Sequence, residues 1–288
     1  PDLTVYQDAL LHTLQGRTLQ RLDVSGLAVL KTVQPGPADL AGRSLQGVER
    51  LGKRLVLVFS GDHFAVIHLM IAGRLRWLAP GKKAPARIAQ AAFVFEHGTL
   101  VLTEAGKKRR ARLHLVAGRS GLLAHDPGGL EPLELDVASF AEALRARNHT
   151  LKRALADPRI FSGIGNAYSD EILHAARLSP VVWTSRLDAA EIARLHAATQ
   201  AVLRHWIALL RADAAGGFPE KVTAFRPEMA VHGRYGQPCP DCGAPVQRIV
   251  YAQRETNYCA RCQTDGKLLR DRALSQLLRQ DWPASLES

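Results

Sequence analysis

Four cysteines constrain this chain more than any other feature. They form two tight pairs, Cys239/Cys242 and Cys259/Cys262, with two residues inside each pair and sixteen between the pairs. Each pair can grip one side of a tetrahedral ion from a turn, and the stretch between them is long enough for a β-hairpin. Four thiolates suit Zn²⁺ and leave no position open for water, so the ion is structural and not the catalyst. A redox dithiol or two disulfides are the competing readings; tight pairs in a chain without a secretory pattern favour the metal. Metal bonds replace the core that about 30 residues cannot build alone. The expected hairpin, Val250 to Tyr258, carries Arg254 near its tip. Tip arginines are often only solvated, but on a basic protein one can reach phosphate or enter a groove.

The remaining chain is too long to be organised by one ion. Its 288 residues suit one large domain or two ordinary ones, and at 47% hydrophobic it can build real cores. Lys plus Arg number 38 against 27 Asp plus Glu, a formal charge of +11. Such a charge favours a polyanion through counterion release, although an Arg-, Ala- and Leu-rich composition also tilts a chain basic. No apolar run approaches the roughly 18 residues of a membrane helix. Pro1-Asp2-Leu3-Thr4 lacks a basic-then-apolar leader pattern. The expectation is a cytoplasmic protein, not secreted and without a membrane partner, and nothing in the sequence calls for more than a monomer.

Periodicity divides the chain. Val5, Leu10, Leu11 and Leu14 have helical spacing. Short apolar runs then recur at Leu27–Val33, Leu55–Phe59, Phe64–Leu69, Ala92–Phe95, Leu100–Thr103 and Leu113–Val116, with Gly-containing turns between them. That spacing predicts a β-sandwich or barrel. Asp126-Pro127-Gly128-Gly129 is a loop, and beyond it the spacing predicts helices near 137–146, 149–156, 166–176, 188–197 and 197–212. Asp188 and Glu191 have the arrangement of a capping box. The expected fold class is α+β: a β-sandwich-like domain with an N-terminal helix over 1–126, a helical domain over 127–231, and a four-cysteine hairpin finger with its tail over 232–288.

A second constellation lies in the helical part: Ser162-Gly163-Ile164-Gly165-Asn166-Ala167-Tyr168-Ser169-Asp170-Glu171-Ile172-Leu173. Two glycines allow a close backbone approach and Asn166 opens a helix whose N–H groups can hold a phosphate. Gly-rich helix starts are common, so alone this is weak. With the cysteines it is not. The chain resembles the formamidopyrimidine-DNA glycosylase/endonuclease VIII family of DNA-repair enzymes over nearly its whole length. Ile164–Leu173 is similar to that family's helix–two-turns–helix motif. Cys239 to Cys262, with Gln253-Arg254-Glu255-Thr256 before Tyr258, is similar to its zinc finger. Gly52-Lys53-Arg54-Leu55 and His68–Leu75 are similar to its lysine-bearing turn and the strand and loop that follow.

The resemblance implies a bifunctional enzyme of base-excision repair. Such enzymes release a damaged base and then cut the abasic strand by β/δ-elimination, through a Schiff base on a proline amine. The base leaves the stack and side chains fill the gap. By resemblance, Pro1 is the nucleophile and Asp2 stands where the family has a Glu general acid. Lys53 assists elimination and contacts DNA, and Glu171 lies near the amine. Asn166 and Arg254 hold flanking phosphates, and Arg254 also serves δ-elimination. Ile71 stands at the family's gap-filling Met, with Met70 beside it, and Arg109 is the expected minor-groove probe in the Lys107-Lys108-Arg109-Arg110 stretch. The implied partner is double-stranded DNA with damaged bases or abasic sites, the implied cofactor one structural Zn²⁺, and the implied setting a bacterial nucleoid. Pro1-Asp2-Leu3-Thr4 also aligns with a second proline of the family pattern. On that register the alternative is a non-catalytic lesion- or abasic-site-binding protein. A transcription-factor finger is disfavoured, because no recognition helix fits between the Cys pairs.

Overall fold

A computed structural model describes residues 1–26, 28–106, 108–219, 222–223, 225–251, 254–270 and 285–286, with only the backbone of Tyr251 and Arg254. The chain separates into two compact units. One comprises Pro1–Pro127 with Ile207–Val222, the other Gly128–Trp206 with Thr223–Ser288.

The first unit is built on apolar alternation. Helix α1 (Asp2–Leu14) buries Val5, Tyr6, Leu10 and Leu14 along one stripe. Eight strands follow: β1 (Leu19–Val24), β2 (Leu45–Leu51), β3 (Arg54–Phe59), β4 (His63–His68), β5 (Gly73–Leu78), β6 (Ala89–Phe95), β7 (Gly98–Glu104) and β8 (Arg112–Ala117). They form two four-stranded antiparallel sheets, ordered β1-β6-β7-β5 and β2-β3-β4-β8. One apolar cluster takes Leu55, Leu57, Phe59 and Ile67 from one sheet, Phe93, Leu100 and Leu102 from the other, and Tyr6 and Leu10 from α1. The opposite face of β3 and β4 is apolar too: Val56, Phe64 and Val66 pack with Val116 and with Leu122 of α2 (Arg119–Leu123). A strand buried on both faces reads as a continuous run, which is why Leu55–Phe59 stands out in the sequence. The Tyr6 hydroxyl meets the Leu75 backbone, accepting from its N–H at 3.3 Å, and burial pushes its pKa up to about 12.

One expected strand is absent among the described residues. In the Leu27–Val33 run, Leu30 makes an isolated bridge to Leu113 and Val33 is exposed; Leu27 lies outside the described residues. A turn from Gly26 to Val29, closed by a 2.9 Å hydrogen bond, breaks the extended backbone there. Strands β1, β2 and β5 escaped the apolar pattern because charged and polar residues, such as Arg21, Glu49 and Arg76, dilute it.

The second unit is mainly helical: α3 (Val137–Arg145), α4 (Leu151–Ala156), α5 (Asn166–Ala175) and the start of α6 (Ala189–Ala214). Asp136 caps α3 through the Ser139 N–H at 2.8 Å. Asp188 and Glu191 form the expected reciprocal box at the start of α6, with bonds of 3.1 and 2.7 Å. The two helices expected over 188–212 are one helix of 26 residues, whose last turns belong to the first unit. No breaker stands near residue 197, so propagation carries the helix through. The unit ends in the hairpin β9 (Val246–Tyr251) and β10 (Arg254–Cys259), followed by α7 (Ala260–Thr264). Among the described residues no helix is long and apolar enough to cross a membrane.

Candidate metal centre and nucleic-acid interface

The hairpin register pairs Cys259 with Val246 and Arg254 with Tyr251, so both ends of the loop between the Cys pairs return to one place. Gly243, at φ +74°, closes the first Cys turn, and its N–H donates to the Cys239 carbonyl at 2.9 Å. The second pair is shaped by Gln263, whose Oε1 accepts the Cys259 N–H at 2.8 Å. Cys239 and Cys262 sulfurs lie 3.9 Å apart and those of Cys242 and Cys259 3.4 Å apart, with all four within 4.8 Å of one another. A tetrahedral zinc with Zn–S near 2.3 Å requires sulfur–sulfur edges of about 3.8 Å, so the cluster fits the ion. Burial first, and then the Cys242 and Cys239 sulfurs, push the metal-free Cys259 thiol up to about 11, against the opposing pull of Cys262. A divalent cation among the sulfurs reverses that by stabilising thiolates. Zinc therefore braces the hairpin.

The finger is bolted to α5. Asn166, the first residue of that helix, donates its side-chain N–H to the Glu255 carbonyl on β10 at 2.8 Å. Glu171 spends both carboxylate oxygens on three successive N–H groups, of Ala230 (2.7 Å), Val231 (3.0 Å) and His232 (2.9 Å). Its role within this unit is to anchor the segment leading into the finger. Asp170, beside it on α5, is fully buried. It accepts from Lys152 Nζ at 2.6 Å and pairs with His232 Nδ1 at 2.8 Å. Lys152 also donates to the Asn166 carbonyl at 2.6 Å. Burial lowers the Lys152 pKa and Asp170 offsets part of that shift. The side chain of Arg254, and residues 252 and 253 at the hairpin tip, lie outside the described residues.

In the first unit the candidate residues sit on turns and ends. Pro1 is the N-cap of α1 and Asp2 its first residue. Lys53 occupies the tight turn between β2 and β3, beside Gly52 at φ +58°. Met70, at φ +56°, and Ile71 form the turn between β4 and β5. Gly73 closes that turn against Leu69: a Cβ there would stand 2.3 Å from the Leu69 carbonyl oxygen. Arg74 pins it from beneath, donating to the Ile71 carbonyl at 2.9 Å. The turn is fixed while the Ile71 side chain is 77% exposed, an apolar wedge on a rigid mount. Arg109 donates to the Arg87 carbonyl at 2.8 Å, and Lys107 lies outside the described residues. That loop is held by Glu104, 2% exposed, whose carboxylate accepts the N–H groups of Arg110 and Ala111 at 2.8–3.0 Å. On the outer sheet face, His68 and His114 are each held down to about 4, by burial first and then by neighbours including Arg54 and Arg112. Both rings are neutral among arginines.

Comparison with known proteins matches the chain in three places. Residues 1–113 match the formamidopyrimidine-DNA glycosylase N-terminal domain, 124–214 that enzyme's H2TH domain, and 236–264 a zinc finger found in FPG and IleRS. The formamidopyrimidine-DNA glycosylase of Chloroflexus aurantiacus is 33% identical over 277 residues, covering 91% of this chain and 96% of that one. This chain belongs to the formamidopyrimidine-DNA glycosylase family. An uncharacterized formamidopyrimidine-DNA glycosylase-like protein of Mycobacterium tuberculosis is 39% identical over 155 residues, 53% of this chain and 96% of that protein. Among solved structures, Lactococcus lactis Fpg in complex with abasic-site DNA aligns with a TM-score of 0.81 at 25% identity, over 92% of this chain and 98% of that one.

Family motifs pointed to Asn166, Glu171, Lys53 and the cysteines but not to the residues that hold them. Lys152 and His232 carry no motif, and neither does Glu104, which holds the Arg110 loop. The sequence carried no signal that Asp170 is buried: only the fold buries α5 from Ala167 to His174, which leaves its carboxylate no water to face and requires it to find partners.

Proposed function

We propose that this family member is a DNA glycosylase of base-excision repair. It removes oxidised or otherwise damaged bases from double-stranded DNA, suits chromosomal DNA by its basic charge, and cuts the strand at the abasic site. The observation that carries the reading is whole-length relationship to the Chloroflexus aurantiacus enzyme, with the metal centre and the α5–hairpin clamp intact in one unit. The likeness to Lactococcus lactis Fpg, solved in complex with abasic-site DNA, supports the same partner.

We assign the strand-cutting amine to Pro1 and the neighbouring acid to Asp2. The amine attacks C1′ as the base departs, and the iminium that forms draws off the electrons of the β-elimination. Lys53, on its tight turn, is assigned to the elimination and to a phosphate. Asn166 and Arg254 are assigned to the phosphates flanking the lesion, Arg254 also to the second elimination, and Glu171 to positioning the segment below them. Ile71 and Met70 are assigned to the gap left by the everted base, and Arg109 to the minor groove; Ile71's exposure on a pinned turn supports that role.

The test uses three duplexes: one with an oxidised purine, one with an abasic site, and one undamaged. Expected are base release from the first and nicking of the second. Borohydride should freeze an adduct on the abasic duplex that maps to the peptide containing Pro1. An adduct on a lysine moves the amine assignment elsewhere. Tight binding to the damaged duplexes without release or nicking makes the protein a lesion binder, and no preference over undamaged DNA overturns the reading.

A further inference from the structure

More metal donors gather at the finger than one tetrahedral ion can use. His174, on the last turn of α5, is 4% exposed, and its Nε2 lies 3.3 Å from Cys239 Sγ. Asp241 Oδ2 stands 4.0 Å from the same nitrogen. The donor atoms of His174, Asp241 and Cys262 lie within 4.8 Å of one another, so an imidazole flanks the cluster on the side of Cys239 and Cys262. A buried imidazole requires a polar partner, and the partner here is a sulfur. In a tetrahedral zinc site an imidazole nitrogen and a thiolate sulfur lie about 3.6 Å apart, from bonds near 2.0–2.1 and 2.3 Å. His174 therefore already stands at close to ligand-to-ligand distance from Cys239.

We propose that His174 is a reserve ligand of the zinc centre. While four thiolates are present, Nε2–H donates to Cys239 Sγ, neutralising part of the negative charge of a four-thiolate zinc and orienting that ligand. Were the half-buried Cys242 to leave the ligand set, His174 Nε2, already beside Cys239 and Cys262, would stand nearest to take its place. The Nε2 lone pair would then complete a set of three sulfurs and one nitrogen. The ring's single proton passes from Nε2 to Nδ1, so the imidazole stays neutral and no redox partner is needed. The consequence is a finger that keeps its ion, and so its clamp on α5, through the loss of one thiolate.

The test uses the full chain in four forms: unaltered, His174→Phe, Cys242→Ala, and both changes together. Zinc per chain is counted by mass spectrometry, release is timed against a chelating dye, and each form is refilled with Co²⁺ for its visible spectrum. The unaltered chain and His174→Phe should each hold one ion with a four-sulfur spectrum. Cys242→Ala should keep its ion and shift to the spectrum of three sulfurs and one nitrogen. The double variant should release zinc about ten-fold faster than Cys242→Ala. Equal release rates for those two overturn the proposal, as does loss of the ion from Cys242→Ala itself. If the double variant does not fold, the cobalt spectrum of Cys242→Ala decides: a three-sulfur, one-oxygen spectrum assigns the fourth place to water or Asp241 and overturns it. An unaltered chain without zinc would instead remove the metal reading beneath the proposal.

Discussion

The two units hold their candidate site residues by different physics. The first is an apolar sandwich whose candidate residues ride on turns between strands, at Lys53 and Ile71, and gain their rigidity from the core below. The second positions its residues with buried polar groups and a metal: Asp170 between Lys152 and His232, Glu171 under three N–H groups, four sulfurs behind the hairpin. Apolar packing is non-directional and tolerates repair by neighbours, whereas a buried polar network fails when one member is lost. The first unit should therefore lose stability in proportion to volume removed, and the second should lose it by steps.

The largest step should follow chelation of zinc. Amide exchange over residues 236–264 should rise to that of an unfolded chain while β3 and β4 stay protected, and binding to an abasic duplex should vanish. If protection falls equally in both units, the contrast is wrong. Next, Phe59→Ala should cost the sandwich about 3–5 kcal/mol by denaturant unfolding, the effect of a cavity in a packed core. A smaller effect is expected from Glu171→Gln, about 1–3 kcal/mol, because a single amide oxygen cannot serve all three N–H groups. It should appear as local exchange at residues 230–232.

A pH titration sharpens the same contrast. His68 and His114 are held at about 4 in the folded sandwich, against an ordinary value near 6.5. Between those values the unfolded chain binds more protons, so folding stability rises with pH. The contribution is complete above about 6.5 and is lost as pH falls toward 4. His68→Gln should flatten that slope in the exchange of β3 and β4 amides; an unchanged slope removes the neutral-histidine account. The smallest effect on stability is expected from Ile71→Ser, within about 0.5 kcal/mol for an exposed site. The same change should weaken binding to lesion DNA, which separates a wedge from a surface ornament.

Sequence legibility followed this division. Leu55–Phe59 and the 113–116 run were readable as strands because a strand buried on both faces cannot hide charged residues, while β1, β2 and β5 wear charges outward and were not. The start of α6 was written in the capping box of Asp188 and Glu191, but the continuity of that helix past residue 197 was not, since nothing local marks where a good helix should continue.

By itself the sequence determined what depends on fixed covalent spacing: two cysteine pairs able to close on one ion, a glycine-marked helix start at Asn166, and a basic chain suited to phosphate. Only the tertiary structure decided which partners those residues keep. Asp170 passes for a surface carboxylate until α4 brings Lys152 to it, Glu104 for an ordinary strand end until the next loop folds onto it, and His174 for a helix-end histidine until the finger sets Cys239 beside it. Within each cysteine pair the two ligands stand three residues apart, so their spacing is set by a few bonds. These other pairs lie six to 65 residues apart, and they meet only because burial leaves a polar group no water and the packed fold supplies its partner.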